Sequence, residues 1–305
     1  MKILVFTEKP FAPKAVKAIA DTIDASGNEM KLVEMGTRMD LLEAVADAEG
    51  LIVRSDKIDA EVMEHAPKLK VIVRAGAGYD NIDLDAATQR GICVMNTPGQ
   101  NSNAVAELVF GMVVMMCRNQ YNGKSGTELK DKRLGIYAFG QVGRNVSRIA
   151  KGFGMKISAL DKFVADAVME AEGVSPVHEV EALFSGNDFV SLHIPATAET
   201  KKSIGYELVS MMPKGAVLVN TARKEVIDEE GLMKALEERT DLRYVSDIKP
   251  DAAEEFEKRF GDRVFFTPKK MGAQTAEANF NAGVAAAEQA IAYLKDGWNK
   301  YQVNR

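Results

Sequence analysis

Residues 133–161, RLGIYAFGQVGRNVSRIAKGFGMKISALD, contain the residue types that a dinucleotide site needs. Gly140 removes the side chain where a pyrophosphate must approach the backbone. Gly143 lets the following helix pack closely on its strand, and the turn carrying Gln141 and Val142 leads into a helix N-terminus whose N–H groups are offered to the anion. Asp161 is placed to accept hydrogen bonds from an adenosine ribose. Its charge repels a 2′-phosphate, so the stretch reads as a site for NAD rather than NADP. The usual G-x-G-x-x-G is A-x-G-x-x-G here, and the Cβ of Ala138 in first position requires φ to stay below zero. Two other strand-like runs end in arginine. LIVR delivers Arg54 and then Ser55; VIVR delivers Arg74, followed by Ala75, Gly76, Ala77 and Gly78. Two strands each ending in arginine point to an anion site, helped by the backbone N–H groups that small residues leave accessible. The competing reading pairs each arginine with a local acid such as Asp56 or Asp80.

Positioning these groups requires parallel strands alternating with helices. The pattern predicts KILVF, KLVEM, GLIV, KVIVR and ICVMN as strands, separated by helices at 12–25, 41–47, 60–66 and 84–90. A long apolar helix over 104–118 follows, with Asn103 as its N-cap and burial between domains or subunits as its expected role. The dinucleotide stretch reads as a strand at 134–138, a turn at 139–143, a helix at 144–153 and a strand at 156–160. DFVSLHIP, AVLVNTAR, LRYVSDIKP and VFFTPKK continue the series with helices at 206–211, 229–238 and 252–260, and a last helix spans 275–294. This is an α/β chain of two doubly wound parallel-sheet domains. Ligands of such sheets bind outside the carboxyl ends of the strands, where His193, Thr221, Arg223, Asp247 and Lys269 fall.

At 305 residues the chain fits two domains rather than one core. A net charge of −5 and pI near 5.5 argue against a nucleic-acid surface. Lys124, Lys130, Lys132 and Arg133 crowd one segment, which reads as a solvated loop. Cys93 and Cys117 match no metal or redox spacing and read as buried thiols in a reducing compartment; the three histidines lack ligand spacing, so no metal site is expected. The apolar runs are too short for a signal peptide or a membrane span, which gives a cytoplasmic expectation.

Over essentially its whole length the chain resembles the D-isomer-specific 2-hydroxyacid dehydrogenases, most closely their short D-3-phosphoglycerate dehydrogenase branch. The resemblance rests on RAGAGYDNIDLDAATQRGICVMNTPG, NAVAEL, the glycine turn with Asp161, SLHIPAT, MMPKGAVLVNTARKEVIDEEGL and TPKKMGAQTAEA. It implies a discontinuous, flavodoxin-like substrate domain (1–99 and 279–305) around a Rossmann NAD domain (100–278). It also implies NAD held at Ala77, Gly140, Gln141, Val142, Gly143, Asp161, His193, Ile194, Pro195, Thr221, Ala222, Asp247 and Gly272.

The implied reaction moves a hydride between C2 of a D-2-hydroxy acid and the nicotinamide, with Arg223 on the substrate carboxylate. Substrate binding falls to Arg54, Ser55, Arg74, Ala75, Gly76 and Arg223, the first arginines near a phosphate. The family's acid–base histidine follows Thr-Pro, where TPKK places Lys269. The family's supporting glutamate position is Ala252, with Asp251 adjacent. Lys269 is therefore the expected acid–base group, oriented by Asp251 or Asp247, with its pKa brought down from about 10.4 by burial and by like charge from Lys270, Arg223 and the cationic nicotinamide ring.

The implied activity is NAD-dependent oxidation of 3-phospho-D-glycerate to 3-phosphooxypyruvate, the entry to serine synthesis. A glyoxylate, hydroxypyruvate or D-lactate type reductase, and a non-catalytic NAD-sensing protein on the same scaffold, stay open. The resemblance further implies a homodimer and a basic loop lent by the neighbouring subunit. Because the chain ends after the last helix, serine feedback through a regulatory domain is not expected.

Overall fold

Short β-branched runs separated by amphipathic stretches form parallel strands and crossover helices, and the chain divides into two compact units. In the computed structural model, which describes residues 1–304, the first unit is Met1–Asn101 plus the segment from Gln274 onward; the second is Ser102–Ala273. The first unit contains β1 (Lys2–Thr7), α1 (Pro13–Ala25), β2 (Glu29–Glu34), α2 (Arg38–Ala44), β3 (Gly50–Val53), α3 (Ala60–Glu64), β4 (Val71–Arg74), α4 (Leu84–Gln89) and β5 (Cys93–Asn96). Its parallel sheet has the order β2-β1-β3-β4-β5, as in flavodoxin-like folds. Side chains start the short helices: Thr37 and Asp40 form a capping box, Asp59 accepts from Val62 N–H and Asp83 from Ala86 N–H. The register Val53↔Arg74↔Asn96 then brings the residues after β3, β4 and β5 to one edge.

The second unit contains α5 (Ser102–Cys117), β6 (Arg133–Tyr137), α6 (Gln141–Gly152), β7 (Lys156–Leu160), α7 (Asp166–Ala171), β8 (Ser175–Pro176), α8 (Val180–Ser185), β9 (Phe189–Leu192), α9 (Tyr206–Ser210), β10 (Val217–Asn220), α10 (Glu229–Glu238), β11 (Arg243–Ser246), α11 (Ala253–Phe260) and β12 (Val264–Phe266). The order β12-β11-β10-β9-β6-β7-β8 is the Rossmann order extended by one strand, and its direction reverses between β6 and β9.

Several local readings are corrected. Helix α6 begins at Gln141, three residues before the expected start, because Gly140 is already its N-cap. Helix α5 begins at Ser102, and Asn103 is inside its first turn; the Asn103 amide donates to Glu107 and accepts from Arg148 instead of capping. One face of α5 is buried within its own unit, where Val109, Phe110, Val113 and Met116 join Leu134, Ile136, Val146 and Val219 in one core, while Leu108, Val114 and Met115 are only partly buried. Ala138 departs from the φ it was expected to keep: it stands at +79°. Its N–H donates to Leu160 O at 2.8 Å, and the next N–H, of Phe139, donates to Asp161, so long-range bonds on both sides impose a glycine-like conformation.

The final helix, α12 (Ala276–Asp296), belongs to the first unit, with Thr275 accepting from Ala278 N–H at its start. The unit boundary therefore falls at 273/274 instead of 278/279. Ala282, Ala286, Ala287 and Ala290 let this helix lie close on Ile3, Val5, Ile52 and Val73. After the left-handed Gly297 the chain returns along β5: Gln302 bridges Met95 antiparallel and Val303 N–H donates to Val94 O. Buried Asn304 completes this edge, accepting from Val94 N–H at 2.7 Å and donating to Ile92 O at 2.9 Å and Thr88 Oγ1 at 3.0 Å. Among the described residues no helix is long and apolar enough to cross a membrane.

Asn304→Ala leaves the Val94 N–H and Ile92 carbonyl without these partners, so thermal or denaturant unfolding should show a loss of about 2–4 kcal/mol, largely recovered in no variant that lacks a 304 acceptor. Ala138→Gly removes the strain of a positive φ, worth about 1–2 kcal/mol, against a smaller entropic cost. Its melting temperature should equal or exceed that of wild type, whereas Ala138→Val should melt lower.

Candidate active site

The glycine turn of the second unit fits an anion. Gly140 caps α6 without any side-chain bond to the first-turn N–H groups, and a Cβ at Gly140 would meet nothing within 4 Å. Those N–H groups, at the positive end of a twelve-residue helix, lack a side-chain acceptor, and space lies open at Gly140. At Gly143 a Cβ would fall 2.3 Å from Ala138 O, so only glycine allows this helix its approach to the strand. The Asp161 carboxylate accepts from Phe139 N–H at 2.7 Å and from Phe163 N–H at 2.8 Å, tying the turn to the end of β7. These features suit a dinucleotide pyrophosphate beside a ribose.

His193, just past β9, sets its imidazole between Ser191 Oγ (3.0 Å from Nε2) and Thr221 Oγ1 (3.3 Å from Nδ1). Loss of hydration pushes its pKa down to about 3, so the ring is neutral near pH 7 and is no substitute for the family's acid–base histidine. Ile194, Thr221 and Ala222 are buried, and Pro195 is exposed.

Arg223 is positioned by the loop after β10. Buried Asn220 accepts from Ala222 N–H and donates to Arg223 O, both at 2.9 Å, bending the chain into a turn. The Arg223 guanidinium donates to Ala222 O at 2.9 Å. The loop after β12 carries Lys269, which is exposed rather than buried as expected. That loop is organised by fully buried Asp247, whose carboxylate accepts from Thr267 Oγ1 (3.0 Å), Met271 N–H (2.7 Å) and Gly272 N–H (2.8 Å).

Asp251, expected as a possible partner of Lys269, is instead paired with Lys224 at 2.6 Å and is 79% exposed. The reason lies in α10: Glu229 accepts from the N–H groups of Asp251 and Ala252 at 2.9 and 2.8 Å, fixing the turn before α11 with the Asp251 side chain outward. Asp247 is thus the acid attached to the lysine loop. The bracing roles of Asn220, Glu229 and Thr267 were missed by sequence reasoning. Thr267, directly before Pro268 and Lys269, was the readable signal, since a hydroxyl at a strand end commonly bonds a local acceptor.

In the first unit β3 and β4 bring the two expected arginines together, with Arg74 Nε donating to Arg54 O at 2.9 Å. The Arg54 guanidinium lies over the Phe11 ring and donates to Lys9 O (3.1 Å), Pro10 O (3.0 Å) and Asn279 Oδ1 (2.6 Å). Burial pulls its pKa down, and the nearby Asp56 charge opposes that. Asp56 itself accepts from the N–H groups of Glu8 and Arg54 rather than from a guanidinium. The Arg74 side chain fills the space above Gly76, where φ is +149° and a Cβ would lie 1.3 Å from Nη1. Ser55 is exposed, Ala75 is buried with its N–H on Val53 O, and Ala77 O accepts from Asn96. Neutral carbonyl partners leave the charge of Arg54 available to an anion.

The fold recurs in known proteins. The solved structure of NAD+-bound 3-phosphoglycerate dehydrogenase from Entamoeba histolytica matches with a TM-score of 0.90 and 48% identity, covering 100% of this chain and 99% of that one. The D-3-phosphoglycerate dehydrogenase of Methanocaldococcus jannaschii is 37% identical over 311 residues, taking in 95% of this chain and 56% of the relative, so the chain spans little more than half of that relative's length. The glyoxylate reductase of Thermococcus litoralis is 34% identical over 281 residues, with 84% and 83% covered. The D-isomer specific 2-hydroxyacid dehydrogenase catalytic-domain model matches residues 3–304, nearly the whole chain, and the chain belongs to that family.

Proposed function

We propose that this protein is an NAD-dependent oxidoreductase acting on 3-phospho-D-glycerate, with 3-phosphooxypyruvate as its product. The observation that carries the phosphate reading is the adjacent pair Arg54 and Arg74, one guanidinium partly buried against neutral carbonyls and the other folded over Gly76. The family's chemistry, the similarity to two phosphoglycerate dehydrogenases and the open glycine turn support the same reading.

NAD supplies the hydride acceptor when bound. The first-turn N–H groups of α6 bind its pyrophosphate and Asp161 its ribose, with Ile194, Pro195, Thr221, Ala222, Asp247, Gly272 and Ala77 lining the remainder. Arg223 holds the substrate carboxylate in a bidentate grip that polarises the C2 oxygen. Lys269 takes the proton from the C2 hydroxyl as the C–H bond breaks, and returns it in the reverse direction. Asp247 positions Lys269 by holding the Met271 and Gly272 N–H groups. Arg54 and Arg74 bind the phosphate, with Ser55, Ala75 and Gly76 around it. A homodimer is part of the proposal and is read by light scattering.

Reduction of an unphosphorylated 2-oxo acid is the second reading, favoured by the 34% identity to a glyoxylate reductase. An NADH-oxidation assay with phosphohydroxypyruvate, hydroxypyruvate, glyoxylate and pyruvate separates the two, with the first turned over best if the proposal holds; turnover of none would favour an NAD-binding protein without catalysis. Lys269→Ala should lower kcat by at least about 100-fold, the usual scale of general acid–base catalysis. Turnover within a few-fold of wild type across about pH 7 to 9 would remove the lysine from its role. Arg54→Ala should raise KM for the phosphorylated substrate far more than KM for hydroxypyruvate, and equal effects would remove the phosphate assignment.

A further inference from the structure

Asp161 is followed directly by a cation, Lys162, and this neighbourhood is where NADP-binding folds place a positive group for the 2′-phosphate. Lys162 is not left to such a role. Its Nζ is 3.0 Å from Glu199 Oε2, on the loop after β9. The loops after β7 and β9 follow the two strands that flank β6, so the pair bridges the switch point at the side marked by Asp161. The Glu199 loop is braced: Thr200 Oγ1 donates to Pro195 O at 2.6 Å, Thr197 N–H donates to Thr200 Oγ1 at 2.8 Å, and Lys201 N–H donates to Thr197 O at 2.9 Å. Glu199 is therefore presented from a fixed turn. Tyr137, half-buried at the end of β6, feels the charges of both Lys162 and Glu199, which puts the pair at the mouth of the same strand.

We propose that Glu199 is a second cofactor-specificity residue: it holds Lys162 in an ion pair, and so withdraws the cation beside Asp161 from a 2′-phosphate. Discrimination against NADP then rests on two carboxylates. Asp161 repels the phosphate, and Glu199 occupies the group that would otherwise attract it. The inference rests on the dinucleotide reading of the second unit and is independent of which 2-hydroxy acid is oxidised. Both side chains are well exposed, at 67% and 76%, so the pair adds little to stability and can be removed without disturbing the fold.

The test is direct binding of NADH and NADPH, followed by nucleotide fluorescence without substrate, for wild type, Glu199→Gln, Asp161→Ser and the double variant, each with Lys162 present or changed to Met. Glu199→Gln alone should tighten NADPH several-fold and leave NADH within two-fold, as an order of magnitude for one released charge contact. The double variant should bind NADPH about ten-fold more tightly than Asp161→Ser, and Lys162→Met should abolish that gain. A double variant equal to Asp161→Ser, or a gain that persists without Lys162, would overturn the proposal while wild-type NADH binding upholds the dinucleotide reading. Wild type that binds neither nucleotide overturns both. Glu199→Gln read alone keeps the test decisive if Asp161→Ser fails to fold.

Discussion

A parallel sheet leaves the backbone N–H groups just beyond its carboxyl edge without ladder partners, and burying such a group unpaired costs about 1–3 kcal/mol. This protein meets that constraint with one polar side chain at each of four strand ends. Asp56 takes the N–H groups of Glu8 and Arg54, Asp161 those of Phe139 and Phe163, Asn220 that of Ala222, and Asp247 those of Met271 and Gly272. Each bond that satisfies the backbone also aims a loop. The glycine turn, the Arg223 loop and the Lys269 loop are therefore products of the same requirement.

The constraint also explains why Ala138 tolerates a conformation suited to glycine. Its N–H is committed to Leu160 and its successor's N–H to Asp161, so the positive φ is held by bonds whose combined worth exceeds the local strain. The peptide oxygen of Ala138 then faces the backbone at Gly143, where no Cβ fits. Alanine in the first position of the fingerprint and glycine in the last are linked through this one peptide.

The charged groups follow a related logic. His193 is enclosed among hydroxyls and stays neutral, which removes the histidine nearest the cofactor strands from acid–base work. Arg54 is partly stripped of water and satisfied by neutral carbonyls, an arrangement in which an added anion gains more than it would in solvent. Asp251 and Lys224 neutralise each other outside this set, while Glu229 caps the turn at the position where the family carries its glutamate.

Much of the molecule was legible in the sequence because its signals are local. Strand runs such as VIVR and AVLVN, the spacing of Gly140 and Gly143, and the polar residue after each strand depend on neighbours a few positions away, so order, sheet type and the placing of Arg54, Arg74, Asp161 and Arg223 at strand ends could be read directly. The sign of φ at Ala138, the capture of Asp251 by Lys224, the attachment of the lysine loop to Asp247 and the Lys162–Glu199 pair could not. Each depends on which atoms distant segments bring within about 3 Å, and a hydrogen bond or ion pair is decided at that distance. Local pattern determined which residues stand at the sheet edges; tertiary contact alone decided which of them hold one another.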